Sequence, residues 1–158
     1  MSAIEDRPNT LPWPPVIYIA AVAIAVLLHW LWPLPWLPEP AQGILFAVGG
    51  LTVVCAIAIE FAAMRTMRRA KTTIMPHQGS AHLVTSGPFS FTRNPIYLGN
   101  TMLMIGIGLI AGIVWFILLG PVAAFVTTKL AIEREEQHLR ARFGKKYLDY
   151  MKRVRRWI

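Results

Sequence analysis

Two polar segments of this chain carry the side chains that could do chemistry. The first is the segment 77–97, HQGSAHLVTSGPFSFTRNPIY, which lies between two apolar stretches and is long for a simple connection. Polar, glycine-containing loops of this kind commonly carry function. The second is a group of three carboxylates, Glu133, Glu135 and Glu136, of which Glu133 and Glu136 share a helix face. We take both segments as parts of a candidate site.

Each of these residues also has an interpretation that needs no ligand. Asn94 can cap the helix that Pro95 begins, and Arg93 can anchor the chain at a membrane surface. The three carboxylates can pair with basic neighbours such as Lys129 and Arg140 on a solvated face. Spacing alone leaves both interpretations open.

Other reactive groups are few. Glu60 lies near the end of an apolar stretch, where an ionisable residue is a functional candidate and pairing with Arg65 or Arg68 is the alternative. The histidines, the cysteine and the carboxylates show no metal-ligand spacing, so we predict no metal site. The sequence has no P-loop and no strand-linked dinucleotide motif.

Apolar helices must position these residues. The chain has 158 residues, is 55% hydrophobic and yet carries a net charge of +8. The charges are segregated: residues 16–63 contain only Glu39 and Glu60, and residues 94–128 contain none. Ten of the sixteen Lys and Arg residues lie between Lys129 and Arg156. This segregation predicts an all-α integral membrane protein forming one domain over residues 1–158.

We predict four transmembrane helices, over about 16–32, 42–64, 96–111 and 113–129. The third and fourth come from one apolar block, which as a single helix of roughly 50 Å would exceed a bilayer core of ~30 Å. Glycines in this block permit a tight hairpin, and a hairpin puts both basic regions on one side. A re-entrant hairpin gives the same sidedness. The remaining residues, 130–156, have the spacing of a C-terminal helix with a break at Gly144.

The basic regions assign the sidedness. By the positive-inside rule, the termini, the loop and the C-terminal helix face the cytoplasm, which in a bacterium means the inner membrane. The expected partner of this basic surface is the lipid bilayer, and we predict no nucleic-acid binding. The sequence does not indicate which oligomeric state the protein has.

The two segments together resemble one known family. The run Leu83-Val84-Thr85-Ser86-Gly87-Pro88-Phe89, followed by Arg93-Asn94-Pro95-Ile96-Tyr97, is similar to the cofactor loop of the isoprenylcysteine carboxyl methyltransferases. Glu133-Arg134-Glu135-Glu136, Leu139, Phe143-Gly144, Tyr147 and Tyr150 are similar to the C-terminal signature of that family. Phospholipid N-methyltransferases are more distant relatives. The resemblance covers residues 81–154, and Asn94 and Phe89 stand where the family commonly has His and Tyr.

The resemblance implies S-adenosylmethionine as the methyl donor, a membrane-embedded helical fold, and a lipophilic small-molecule or lipidated acceptor. It implies cofactor binding by His82, Leu83, Val84, Phe89, Arg93, Asn94, Pro95, Tyr97, Gly106, Gly108, Glu133 and Glu136. Arg93 or a nearby basic group is expected to meet the cofactor carboxylate, and a glutamate its amino group or ribose. Glu133 or Glu136 is the candidate base for an amine or hydroxyl acceptor, whereas a carboxylate or thiolate needs none. Close helix packing is the alternative for the two glycines.

Two other functions compete with methyl transfer. One is a nicotinamide-dependent membrane reductase of related fold, which would need a larger pocket. The other is a non-catalytic membrane or lipid-binding protein. Between the carboxylates, we expect Glu133→Gln to weaken cofactor binding more than Glu135→Gln.

Overall fold

The computed structural model of the chain describes residues 13–70 and 82–158, and every regular element in these ranges is helical. This confirms the all-α fold class. Residues 77–81 of the predicted cofactor loop, including His77, lie outside the described residues. The helices are α1 (Trp13–Leu31), α2 (Ala41–Arg69), α3 (Pro95–Ala111), α4 (Val114–Thr127), α5 (Glu133–Phe143) and α6 (Lys145–Arg153).

Three helical runs of the described residues are long and apolar enough to cross a membrane. They are Trp13–Leu31, Ala41–Arg69 and a run over Val114–Phe143 that joins α4 to α5. The fourth predicted span, α3, is apolar but has only 17 residues. The chain is therefore an integral membrane protein, with three full-length candidate spans and one shorter apolar helix.

The helices pack in the order α2, α3, α4, α1. The α2–α3 contact is close because two glycines face each other: a Cβ added at Gly49 would lie 2.8 Å from the carbonyl oxygen of Gly106. Only two residues separate α3 from α4, and Gly112 turns the chain with a φ of +69°. The predicted hairpin of tightly connected helices is thus present.

The exit from this hairpin differs from the prediction. We expected a span over 113–129 and a separate helix from 130. Instead, a π-helical turn, Thr128–Ile132, carries α4 directly into α5, so that one helical rod continues to Phe143. A π turn inserts an extra residue and thereby rotates the helix beyond it about its axis. It therefore sets which carboxylates of α5 face the bundle. The break at Gly144 is where the sequence placed it, with a φ of +53°.

Candidate active site

The segment before α3 is tied to the last residues of the described chain. The Arg93 backbone N–H donates to the carbonyl oxygen of Arg155 over 3.0 Å, and Asn94 Nδ2 donates to that of Arg156 over 2.9 Å. The Tyr150 hydroxyl donates to the carbonyl oxygen of Phe89 over 2.6 Å. These bonds join the first polar segment to residues 150–156, some 60 residues further along the chain. The predicted convergence of loop and C-terminal helix is present in the structure.

Glu136 lies at the centre of this junction. Its Oε1 accepts from Arg93 Nη2 at 2.7 Å and from Arg156 Nε at 3.0 Å, and its Oε2 accepts from Arg156 Nη2 at 2.8 Å. Only 5% of its side chain is exposed. The hydrogen bonds from Arg156 to Glu136 also raise the pKa of that guanidinium above its usual value. We call the group Arg93, Glu136 and Arg156 the ion-pair clamp.

Arg93 is nearly buried, yet its hydrogen bonding is incomplete. Besides Glu136, it donates through Nη1 to the carbonyl oxygens of Val154, at 3.1 Å, and Met151, at 3.4 Å. Its Nε is buried and has no hydrogen-bond partner among the described residues. A buried N–H group without an acceptor is costly, so this atom marks a place where a ligand acceptor would be favourable.

Glu135 is the second carboxylate that faces inward. Its Oε1 accepts a hydrogen bond of 2.8 Å from the Tyr97 hydroxyl. The carbonyl oxygen of Tyr97 in turn accepts from the hydroxyls of Thr101, at 2.9 Å, and Tyr18, at 3.2 Å. Polar contacts therefore continue from Glu135 into the interior of the helix bundle as far as α1.

A cavity of about 130 Å³ lies between these groups. It is lined by Met67, His82, Leu83, Val84, Phe89, Arg93, Asn94, Glu135, Glu136, Leu139, Tyr147 and Tyr150. Burial raises the pKa of Tyr150 to about 12 and that of Tyr147 also well above its usual range. Both phenols are therefore neutral over the physiological range, and their rings, with centroids 6.1 Å apart, form an aromatic wall of the cavity.

Seven of the residues expected from the sequence line this cavity together: His82, Leu83, Val84, Phe89, Arg93, Asn94 and Glu136. Two others adjoin it without lining it. Pro95 is buried at the first turn of α3, and Tyr97 reaches the cavity through its bond to Glu135.

Glu133, Gly106 and Gly108 lie elsewhere. Glu133 accepts a hydrogen bond of 2.6 Å from Lys129, and the two side chains are 35% and 53% exposed. This is the surface pairing that we considered as its alternative. The Oε1 of Glu133 also lies 3.8 Å from Arg156 Nη1, at the edge of the ion-pair clamp. A Cβ at Gly106 would lie 2.8 Å from the Val53 side chain of α2, and one at Gly108 the same distance from Phe116 of α4. In this structure both glycines therefore serve close helix packing.

Five residues of the cavity were not among the expected cofactor contacts: Met67, Glu135, Leu139, Tyr147 and Tyr150. Three of them, Leu139, Tyr147 and Tyr150, belong to the C-terminal signature, which was the available signal. Glu135 could have been found from its spacing to Leu139, because positions i and i+4 share a helix face. Nothing in the sequence singles out Met67.

The fold and the cavity define an all-helical integral membrane protein with a polar site at the basic end of its helices. Residues 44–146 match the phospholipid methyltransferase family, and the chain belongs to that family. This membership confirms the resemblance proposed from the two motifs. All cavity residues except Tyr147 and Tyr150 lie inside the matched region.

The fold is similar to that of a eukaryotic intramembrane Ras methyltransferase, isoprenylcysteine carboxyl methyltransferase. The TM-score is 0.62 at 23% sequence identity, over 92% of this chain and 52% of the other. The chain thus spans about half the length of that solved structure. No curated protein matches the chain.

Proposed function

We propose that this protein transfers a methyl group from S-adenosylmethionine to a lipophilic acceptor at the membrane boundary. The observation that carries the proposal is the cavity at the ion-pair clamp, which Arg93 lines together with two carboxylates and three aromatic rings. The buried Nε–H of Arg93 has no acceptor among the described residues. Membership of the phospholipid methyltransferase family supports the same activity. We further propose that the basic end, and with it the site, faces the cytoplasm.

The lining residues match this cofactor in chemistry, and the cavity of about 130 Å³ would hold part of it. The Nε–H of Arg93 suits a carboxylate such as that of the methionine moiety. Glu135 suits the ammonium group, because its carboxylate lines the cavity and its Oε1 is held in place by a neutral hydroxyl. The ring of Phe89 offers a stacking surface for adenine. When bound, the cofactor would supply an electrophilic methyl group on a sulfonium centre.

The side chains of the site would do three things in the reaction. The aromatic wall and Leu139 exclude water, which favours methyl transfer because charge is more dispersed in the transition state than in the sulfonium ground state. The ion-pair clamp fixes Arg93, so that donor and acceptor can be held in line. Glu135, oriented by Tyr97, would hold the ammonium group of the methyl donor in position, and a carboxylate or thiolate acceptor would need no general base.

Calorimetry on the protein purified in detergent tests cofactor binding. We expect S-adenosylmethionine and S-adenosylhomocysteine to bind and NADPH not to bind. Binding of NADPH alone would favour a reductase, and binding of none of the three at millimolar levels would favour a non-catalytic lipid-binding protein. Incubation of membrane extract with methyl-labelled cofactor would then identify the acceptor from the labelled product.

A matched pair of variants tests the assignment of the carboxylates. We infer the reverse of the order expected from the sequence, because Glu135 lines the cavity and Glu133 does not. Glu135→Gln should weaken S-adenosylhomocysteine binding about tenfold or more, the usual effect of removing a charge-assisted hydrogen bond. Glu133→Gln, the control, should change it less than about twofold. Equal effects of the two substitutions would contradict the proposed site.

A further inference from the structure

A second surface lies at the end of α2, away from the candidate active site. It is a groove of about 480 Å³ lined by Phe61, Met64, Arg65, Arg68 and Arg69. These positions recur at intervals of three and four residues, so that they form one stripe along the helix. The groove is therefore a feature of a single helix face.

This face points away from the cavity. Successive residues of an α-helix are rotated by ~100° about its axis. Met67 and Ala63, each two residues from Arg65, therefore lie roughly on the opposite side of α2 from Arg65. Met67 lines the cavity and Ala63 is fully buried. A ligand in the groove would consequently be separated from the cavity by the helix itself, and it would not be the methyl acceptor.

The two ends of the groove differ in chemistry. α2 has 29 residues and is ~43 Å long, which exceeds a hydrocarbon core of ~30 Å. Its last turns therefore reach the headgroup layer. Phe61, which is 63% exposed, and Met64 lie toward the hydrocarbon, and the three arginines lie toward water. A groove that is apolar toward the hydrocarbon and basic toward water matches the acyl chain and the headgroup of a lipid molecule.

The three guanidinium groups have no anionic partner in the part of the chain that the structure describes. None of Arg65, Arg68 and Arg69 occurs among the ion pairs of residues 13–70 and 82–158. The end of a helix favours cations and the membrane surface retains them, but neither effect accounts for an apolar groove that leads into the cluster. Arginine presents paired N–H groups that match a phosphate in geometry and charge.

We propose that this groove binds one anionic phospholipid, with its phosphate between Arg65, Arg68 and Arg69 and an acyl chain along Phe61 and Met64. The proposal does not depend on the methyltransferase activity. Each arginine should contribute about fivefold to affinity, and the three together about 100-fold.

Lipid binding can be measured by native mass spectrometry of the full chain. The protein in detergent is titrated with either dioleoyl phosphatidylglycerol or dioleoyl phosphatidylcholine, and the detergent is then removed in the spectrometer. We expect each chain to retain one phosphatidylglycerol at lipid concentrations at which it retains no phosphatidylcholine. The triple variant Arg65→Gln, Arg68→Gln, Arg69→Gln should lose about 100-fold in affinity. The charge-matched control Arg142→Gln, Lys145→Gln, Lys146→Gln, on exposed positions of α5 and α6, should lose less than about threefold.

Three results would overturn the proposal. They are an equal loss in the control, equal retention of the two lipids, and displacement of the lipid by inorganic phosphate, which would indicate a site for a free anion. If the glutamine variant fails to fold, the triple variant Arg65→Lys, Arg68→Lys, Arg69→Lys keeps the charge and removes the paired N–H groups. It should bind about tenfold more weakly, and unchanged affinity would also count against the site.

Discussion

Removal of the Glu136 charge should be the most destabilising single change at the ion-pair clamp. Glu136→Gln leaves the Arg93 guanidinium, only 10% exposed, without its counter-ion. An uncompensated buried charge costs about 3–5 kcal/mol, and the lower end applies because Arg93 keeps its bonds to two carbonyl oxygens. Arg156 is 32% exposed and adds no more than about 1 kcal/mol. We therefore expect the free energy of unfolding to fall by about 3 kcal/mol.

Unfolding by SDS in mixed micelles, followed by tryptophan fluorescence, measures this loss. Asp149→Asn is the control, because its pair with Lys152 is exposed, lies outside the clamp and should be worth less than about 0.5 kcal/mol. The double variant Glu136→Leu, Arg93→Met should be more stable than Glu136→Gln, since it removes both charges and leaves neither unpaired. A loss for Glu136→Gln no larger than that of the control would refute this account of the clamp.

Two further predictions concern packing and pH. Gly99→Ala should destabilise the α2–α3 contact by about 1–3 kcal/mol, because the new methyl group would lie 2.6 Å from Glu60 Oε1. A second substitution, Glu60→Ala, should restore most of the lost stability in the same unfolding assay, and additive losses would contradict the proposed overlap. Tyr150, with a pKa near 12 in the folded chain and an ordinary value of 10.0, favours the folded state fully below about pH 10. That contribution should be lost as the pH rises from about 10 to about 12, because the unfolded chain releases the proton first. The stability difference between the wild type and Tyr150→Phe, measured against pH, should shrink over this window.

Much of the fold follows from the pattern of charge. The uncharged block 94–128 is too long for one crossing, and Gly112 turns it where a hairpin requires. The charge pattern does not reveal how the second arm ends. The rod through Thr128–Ile132 depends on side-chain packing around a π turn, and hydropathy is insensitive to one inserted residue.

The candidate site was predictable in its location and less so in its detail. The motifs around Arg93 and Glu136 come together because Arg93 donates directly to Glu136. Arg156 also bonds to Glu136, while its carbonyl oxygen accepts from Asn94. The sequence analysis placed Glu133 in the site and left Glu135 out, whereas Glu135 is the one that lines the cavity. Sequence spacing fixes only relative angles on a helix, and the rotation of α5 against the bundle decides which carboxylate faces inward.

The continuous helical rod from Val114 to Phe143 acts as a lever, with the carboxylates of the candidate site near its far end. Glu135 lies 21 residues from the start of α4, or ~32 Å along the axis. A change of ~5° in tilt about the hairpin, within the range by which helices adapt to bilayer thickness, would move Glu135 by about 3 Å. Displacements of that size exceed the tolerance of an aligned transfer reaction. Arg93 and Arg156 hold Glu136, the residue next to Glu135. A change in tilt caused by membrane thickness would therefore act on the alignment of the candidate site through these two contacts.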